Sequence, residues 1–148
     1  MDLGISGRSA LICASSAGLG FACAKALVAE GVEVTINGRN QERLEKAAGE
    51  LSDMGLAKVS FVAGDVTTPM GREKILTSCP SPDILLNNNA GPSAKQFADT
   101  IPEDWETTLD GNMVAPLMMI HAVLPSMVDR KFGRIVNITS AMVTTPRP

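Results

Sequence analysis

The segment Ala14-Ser15-Ser16-Ala17-Gly18-Leu19-Gly20 joins an apolar run to a stretch of helical character. A tight turn entering a helix presents backbone N–H groups at the positive end of the helix dipole, which suits a pyrophosphate. Glycine lets such a backbone approach its ligand closely, and Gly18 and Gly20 stand where that is needed. The same residues also make a plain strand-to-helix turn with no ligand, so the loop alone leaves both readings open. A second candidate is Asn37-Gly38-Arg39-Asn40. Dinucleotide-binding folds commonly carry an acidic side chain at this point, where it grips a ribose 2′-hydroxyl. Here there is none. Arg39 offers a guanidinium instead, which binds a 2′-phosphate through paired charge-assisted hydrogen bonds where a carboxylate would repel it. Read with the loop, Arg39 points to NADP(H); read without it, Arg39 is a solvated side chain on the following helix.

These segments need strands to carry them. Ser9–Ala14 reads as a continuous apolar run, as a parallel strand covered on both faces should be. Helical Phe21–Glu30 follows, with Gly31 where a C-cap would sit, and Val32–Ile36 reads as a second strand. In Gln41–Asp53, Leu44, Ala47, Ala48 and Leu51 recur at i, i+3, i+4 and i+7, an amphipathic helix with Glu42 and Lys46 paired outside. Lys58–Ala63 is a third strand running into Gly64-Asp65-Val66, and a helix covers Met70–Ser78. Pro80 and Pro82 precede a fourth strand, Asp83–Asn87, and the residues after Gly91 show no period. Thr100, Pro102 and Glu103 mark a helix start, and the helical pattern continues to Arg130 with bends expected at Pro116 and near Pro125. Arg134–Thr139 is a fifth strand, followed by the tail Thr144–Pro148. Strands alternating with helices pair in parallel through crossovers. The expected fold is an α/β, doubly wound, Rossmann-like sheet of strand order 3-2-1-4-5, with ligands at the carboxyl ends of its strands.

At 148 residues there is room for a single domain, 1–148, and its 45% hydrophobic and 20% charged residues suit an ordinary globular core. A net charge of −3 gives no electrostatic reason to expect nucleic acid or an anionic membrane as partner. Runs such as Ser9–Ala14 and Ile84–Leu86 are too short to cross a bilayer, and Met1-Asp2-Leu3-Gly4 lacks the basic start of a secretory signal. Cys13, Cys23 and Cys79 have no metal-like spacing and read as reduced thiols, which makes the expected location cytoplasmic. His121 has no second histidine or acid at useful spacing, so no metal site is expected. Met113, Met118 and Met119 read as core or subunit-contact residues, Trp105 as a packing anchor, and Cys13 as a small apolar residue.

In their order along the chain, these segments resemble the short-chain dehydrogenase/reductase family. Cys13–Gly20 resembles the family loop Thr-Gly-x-x-x-Gly-x-Gly, Asp65-Val66 its adenine-contacting acidic pair, and Asn87-Asn88-Asn89-Ala90-Gly91 its Asn-Asn-Ala-Gly segment. Gly133–Ser140 resembles the family's fifth strand, while Asn112 and Ser140 fall at the spacing of two members of its Asn-Ser-Tyr-Lys catalytic group. The resemblance implies cofactor contacts from Ser15, Ser16, Gly18, Leu19 and Gly20, from Asn37, Arg39 and Asn40, from Asp65 and Val66, and from Asn88, Asn89, Ala90 and Gly91. It implies that Ser140 hydrogen-bonds a substrate carbonyl or hydroxyl, and that Asn112 holds a relay water through its backbone in a helix that bends there. The bland alternatives are a turn-capping serine and an interior helix asparagine. The implied activity is NADP(H)-dependent interconversion of a small-molecule carbonyl and alcohol by hydride transfer. The subgroup it resembles most is the 3-oxoacyl-acyl carrier protein reductases, and relatives often form homodimers or homotetramers through the helix corresponding to Thr100–Arg130.

The chain departs from this pattern in three places. Cys13 and Ala14 replace the usual Thr and Gly, and a methyl group at Ala14 crowds the turn if that position needs positive φ. The asparagine run holds one residue more than the family segment: either Asn88–Gly91 is that segment, or an ungapped match starts at Asn87 and puts Asn89 and Ala90 where Ala and Gly are usual. The family tyrosine, a general acid/base, lies about thirteen residues beyond its serine. This sequence has no tyrosine and runs eight residues past Ser140. The expectation is a fragment of a longer gene product, without turnover as it stands. The alternative function is a non-catalytic nucleotide-binding module, which a downstream Tyr and Lys would exclude. A methyltransferase also uses a glycine-rich turn after its first strand, but Arg39 and the asparagine segment argue against one.

Overall fold

The computed structural model describes residues 2–141 and Thr144, so most of the expected tail lies outside the described residues. The elements run β1 (Ser9–Ile12), α1 (Gly18–Ala29), β2 (Glu33–Gly38), α2 (Gln41–Ser52), β3 (Val59–Ala63), α3 (Pro69–Ser78), β4 (Ile84–Asn87), α4 (Pro102–Leu109), α5 (Ala115–Asp129) and β5 (Arg134–Asn137). A 3₁₀ turn covers Phe97–Asp99, and a π turn, Asp110–Val114, joins α4 to α5. All five strands are parallel in the order β3-β2-β1-β4-β5. The chain winds outward through β2 and β3, then returns to the far side of β1. That reversal opens a crevice at the carboxyl end of β1, the place where such sheets take ligands.

Burial on both faces explains the near-continuous apolar strands. Ala10 and Ile12 of β1 point into a core shared with Ala24 and Val28 of α1 and with Leu44, Ala47, Ala48 and Leu51 of α2. Leu11 and Cys13 point the other way, against Ile75 of α3 and Ala115, Met119, Val123 and Met127 of α5. The period of two along β1 thus feeds two cores, each fully buried aliphatic side chain contributing about 2 kcal/mol. The four apolar positions expected to bury α2 are the four that do.

Several local expectations are corrected. Glu42 and Lys46 form no ion pair among the described residues; the side-chain bond on that helix runs from Gln41 Nε2 to Glu45 Oε1 (2.9 Å). Thr100 does not cap α4, because its hydroxyl donates to the Phe97 carbonyl. Asp104 rather than Glu103 reaches back, accepting from the Ile101 amide (3.0 Å). Trp105 is half-exposed, edge-on to Phe97 with ring centroids 6.5 Å apart, rather than anchored in the core. Other expectations are not overturned: Met119 is a core residue, Met113 and Met118 are exposed, and His121 is a surface residue of α5.

The expected bend near Pro116 is the π turn. Pro116 has no N–H to give the Asn112 carbonyl four residues back, and the Ala115 amide instead reaches Asp110 O, five residues back. Pro125 sits inside α5 without ending it. The continuous helix Pro102–Asp129 is long and apolar enough to cross a membrane by length and composition, which short strand runs did not reveal. Its buried stripe, Ala115, Met119, Val123 and Met127, packs on the sheet.

Candidate functional site

A cleft of about 640 Å³ opens along the carboxyl ends of β1 to β4. Ala14, Ser16 and Ala17 line it from the first loop, Asn37 to Asn40 from the end of β2, and Gly64 to Thr67 from the end of β3. Asn88 to Pro92 close it after β4, with Thr107, Thr108, Gly111 and Asn112 behind. The glycine-rich loop and Arg39 therefore face one space.

The loop is held in shape from behind. Ser15 is fully buried: its hydroxyl donates to the Ile12 carbonyl (2.7 Å) and accepts from the Asn37 amide (3.0 Å), while its own amide donates to Asn37 O (2.7 Å). Ser15, expected to touch the cofactor, is thus corrected to a loop anchor, since both of its donors are spent inside the fold. Asn37 is equally committed. Its Nδ2 donates to Val62 O (3.1 Å) and Gly64 O (3.0 Å), and its Oδ1 accepts from the Ala14 amide (3.5 Å), bracing the ends of three strands.

The turn itself needs unusual backbone. Ala14 has φ +45° and Gly18 φ +61°, so the family's glycine position is one that requires positive φ, and here an alanine fills it. Gly20 is set by space: a Cβ there would lie 2.6 Å from Ala14 O, 2.8 Å from Ser15 Cα and 2.9 Å from Asn88 Nδ2. Gly18 and Leu19 begin α1 beside the cleft, and the Leu19 side chain is exposed. Helix α1 begins at Ala17 without a side-chain cap, whereas Asn40 caps α2 and Thr68 caps α3. The first amides of α1 have no partner within the helix, and among the described residues no side chain caps them. An anionic group such as a pyrophosphate fits that end.

Asn40 accepts from the Arg43 amide (2.9 Å), so its cap role fixes the first turn of α2. Arg39 is exposed in the cleft, and Arg43 lines it too. Sequence reasoning overlooked Arg43; its spacing of four from Arg39 was the available signal. After β3, Asp65 Oδ1 accepts from both the amide (2.9 Å) and hydroxyl (2.7 Å) of Thr67. Burial alone would raise the Asp65 carboxyl, but these two donors and the nearby Arg39 charge hold it below its ordinary value. Arg72 Nη1 donates to the carbonyls of Val66 (3.0 Å) and Thr67 (2.9 Å), fixing this turn; neither Thr67 nor Arg72 was singled out from sequence.

The three asparagines have three different neighbours. Asn87 ends β4, buried, with Nδ2 donating to Asn137 Oδ1 (2.9 Å). Asn88 Nδ2 donates to Ala14 O (2.9 Å), tying the β4 loop to the glycine-rich turn. Asn89 Nδ2 donates to Gly111 O (2.9 Å) and its Oδ1 accepts from the Ala90 amide, linking the same loop to the π turn. Ala90 and Gly91 line the cleft. Asn112 lines it as well, its Nδ2 donating to Thr108 O (3.0 Å). Ser140 stands exposed beyond β5 and is not part of the cleft lining, so the expected catalytic pair is not brought into one cavity.

The profile of the short chain dehydrogenase family matches residues 8–148. Dehydrogenase/reductase SDR family member 4 from Homo sapiens is 32% identical over 149 residues, covering 97% of this chain and 53% of that protein. The crystal structure of L-sorbose reductase from Gluconobacter frateurii, complexed with NADPH and L-sorbose, is 31% identical with TM-score 0.92, covering 99% of this chain and 57% of that one. A 3-oxoacyl-[acyl-carrier protein] reductase from Brucella melitensis, with bound NAD, is 27% identical with TM-score 0.86 over 97% of this chain and 57% of that one. This chain belongs to the short-chain dehydrogenase/reductase family of oxidoreductases. It spans a little over half the length of these relatives.

Proposed function

We propose that this chain forms the nucleotide-binding half of a reductase that interconverts a carbonyl and an alcohol with NADP(H). The observation that carries this reading is the shared cleft: a helix start without a side-chain cap and a guanidinium, Arg39, without an ion pair among the described residues open onto the same space. One relative binds NADPH and another NAD within the same fold, so the choice rests on this chain's own charges. When bound, the dinucleotide supplies the hydride. The amides of Gly18, Leu19 and Gly20 would hold its pyrophosphate, Arg39 its 2′-phosphate, and Asp65 with Val66 its adenine end. Asn88, Asn89, Ala90 and Gly91 would lie along it toward the π turn. There Asn112 would hold a water through its backbone, and Ser140 would donate to the substrate oxygen.

A 3-oxoacyl thioester is the substrate we place first, and a second copy of the chain is the partner we place on the exposed apolar side of α4 and α5. Three free cysteines fit a reducing compartment, the cytoplasm. The absence of tyrosine favours one further reading for the chain by itself, a nucleotide-binding module without turnover.

Trp105, the sole tryptophan, stands near the cleft and emits where reduced nicotinamide absorbs. Titration with NADPH should quench it at a dissociation constant at least about tenfold below that for NADH, as loss of one charge-assisted contact requires. Equal affinity, or a preference for NADH, would refute the assignment.

A further inference from the structure

The cleft carries more positive charge than Arg39 alone supplies. Two guanidiniums, Arg39 and Arg43, line it against a single carboxylate, Asp65, in a chain whose net charge is −3. Among the described residues the ion pairs form at Asp83 and Asp104; neither Arg39 nor Arg43 has one. Like charges lining one space repel weakly when solvated, and an anion held between them turns that repulsion into attraction. The two arginines are also placed rather than free to drift along the chain. Asn40 takes the Arg43 amide into the first turn of α2, and the neighbouring Leu44 is fully buried, which fixes the rotation of that turn. Asp65 lies close enough to Arg39 for its carboxyl to feel the charge, so part of the Arg39 field is already balanced. Arg43 is the less compensated of the two.

We propose that Arg43 is the second arm of a two-guanidinium clamp on a nucleotide 2′-phosphate, and that it sets the preference for a 2′-phosphorylated nucleotide together with Arg39. This rests on the NADP(H) reading above and extends it to a residue four positions further on. A phosphomonoester near neutral pH carries close to two negative charges and three acceptor oxygens, which one guanidinium cannot satisfy. Two, approaching from the end of β2 and the first turn of α2, can take separate oxygens.

The test is calorimetric titration of the chain with 2′,5′-ADP and 5′-AMP, which differ only in the 2′-phosphate. Arg43→Gln should weaken 2′,5′-ADP binding by about 10- to 100-fold, the worth of a charge-assisted hydrogen bond, and change 5′-AMP by less than about threefold. Arg43→Lys should restore only part of the loss, because an ammonium lacks the planar fork. Wild-type affinity of Arg43→Gln for 2′,5′-ADP, with Arg39→Gln impaired, overturns the clamp but leaves the NADP(H) reading standing. An equal loss for both nucleotides makes Arg43 a structural residue and also overturns it. A wild-type chain that binds both nucleotides equally removes the NADP(H) reading, and the clamp with it.

Discussion

Ala14 carries the clearest tension between residue type and conformation. Its φ of +45° belongs to the left-handed region, which costs a residue with a Cβ about 1 kcal/mol or more. The strain is held by neighbours on both sides, since the Ala14 amide donates to Asn37 and its carbonyl accepts from Asn88. Ala14→Gly removes the strain but adds freedom to the unfolded chain, which offsets roughly 0.5–1 kcal/mol. We expect a net gain of up to about 1 kcal/mol, read as a higher urea midpoint at unchanged slope. A lower midpoint would show that the methyl group packs to advantage. The replacement of glycine was visible in the sequence; that the position needs positive φ was only a condition there, and the backbone trace meets it.

Helix starts divide into two kinds in this fold. Helices α2 and α3 begin under side-chain caps from Asn40 and Thr68, while α1 begins at Ala17, whose extended backbone (φ −163°, ψ 176°) would accommodate a capping residue. Ala17→Asp should therefore stabilise the free protein by roughly 0.5–1 kcal/mol, through a cap and a favourable helix-end charge. The same carboxylate would occupy the amides meant for the pyrophosphate and repel it. The expected outcome is a higher melting temperature with NADPH affinity lowered at least about tenfold. Unchanged affinity would show that those amides do not hold the nucleotide. The helical period of α2 was legible because its buried stripe is wide and its outer face charged. The π turn was legible only as a bend at Pro116, because proline says which donor is missing and not how the next turn closes.

Cys13 lies between the sheet and the helices of one face, and burial pushes its thiol from 9.0 up to about 12. Cys79, half-buried, is raised in the same direction, mainly by burial. A raised acid is protonated in the folded chain while the unfolded chain ionises, so folding stability falls as pH climbs past the ordinary value of 9.0 and continues falling toward about 12. Cys13 alone contributes up to about 1.4 kcal/mol per pH unit in that window. Urea unfolding between pH 8 and 10 should show the decline, and Cys13→Ala should flatten it. An equally steep decline in the variant would remove Cys13 as the cause. Across the molecule, the strand order and the two-sided core matched expectation because parallel strands covered on both faces leave a plain apolar signature. The exposed apolar side of α4 and α5 was anticipated only through the family resemblance, since period alone marks a helix's apolar positions and not what will cover them.

From sequence alone came the alternation of strands and helices, the turn at Gly18 and Gly20, and the cationic residue Arg39 where an acid is usual, since each is a property of residue type at a given spacing. Which groups point into the cleft was decided only by the tertiary structure. Ser15 and Asn37 had the right chemistry at the right positions, yet packing turned their polar atoms toward neighbouring strand ends. Arg43, unremarkable along the chain, was brought into the same cleft as Arg39, its amide held by the Asn40 cap of α2. Side-chain direction depends on contacts between segments distant in sequence, and those exist only once the sheet has assembled.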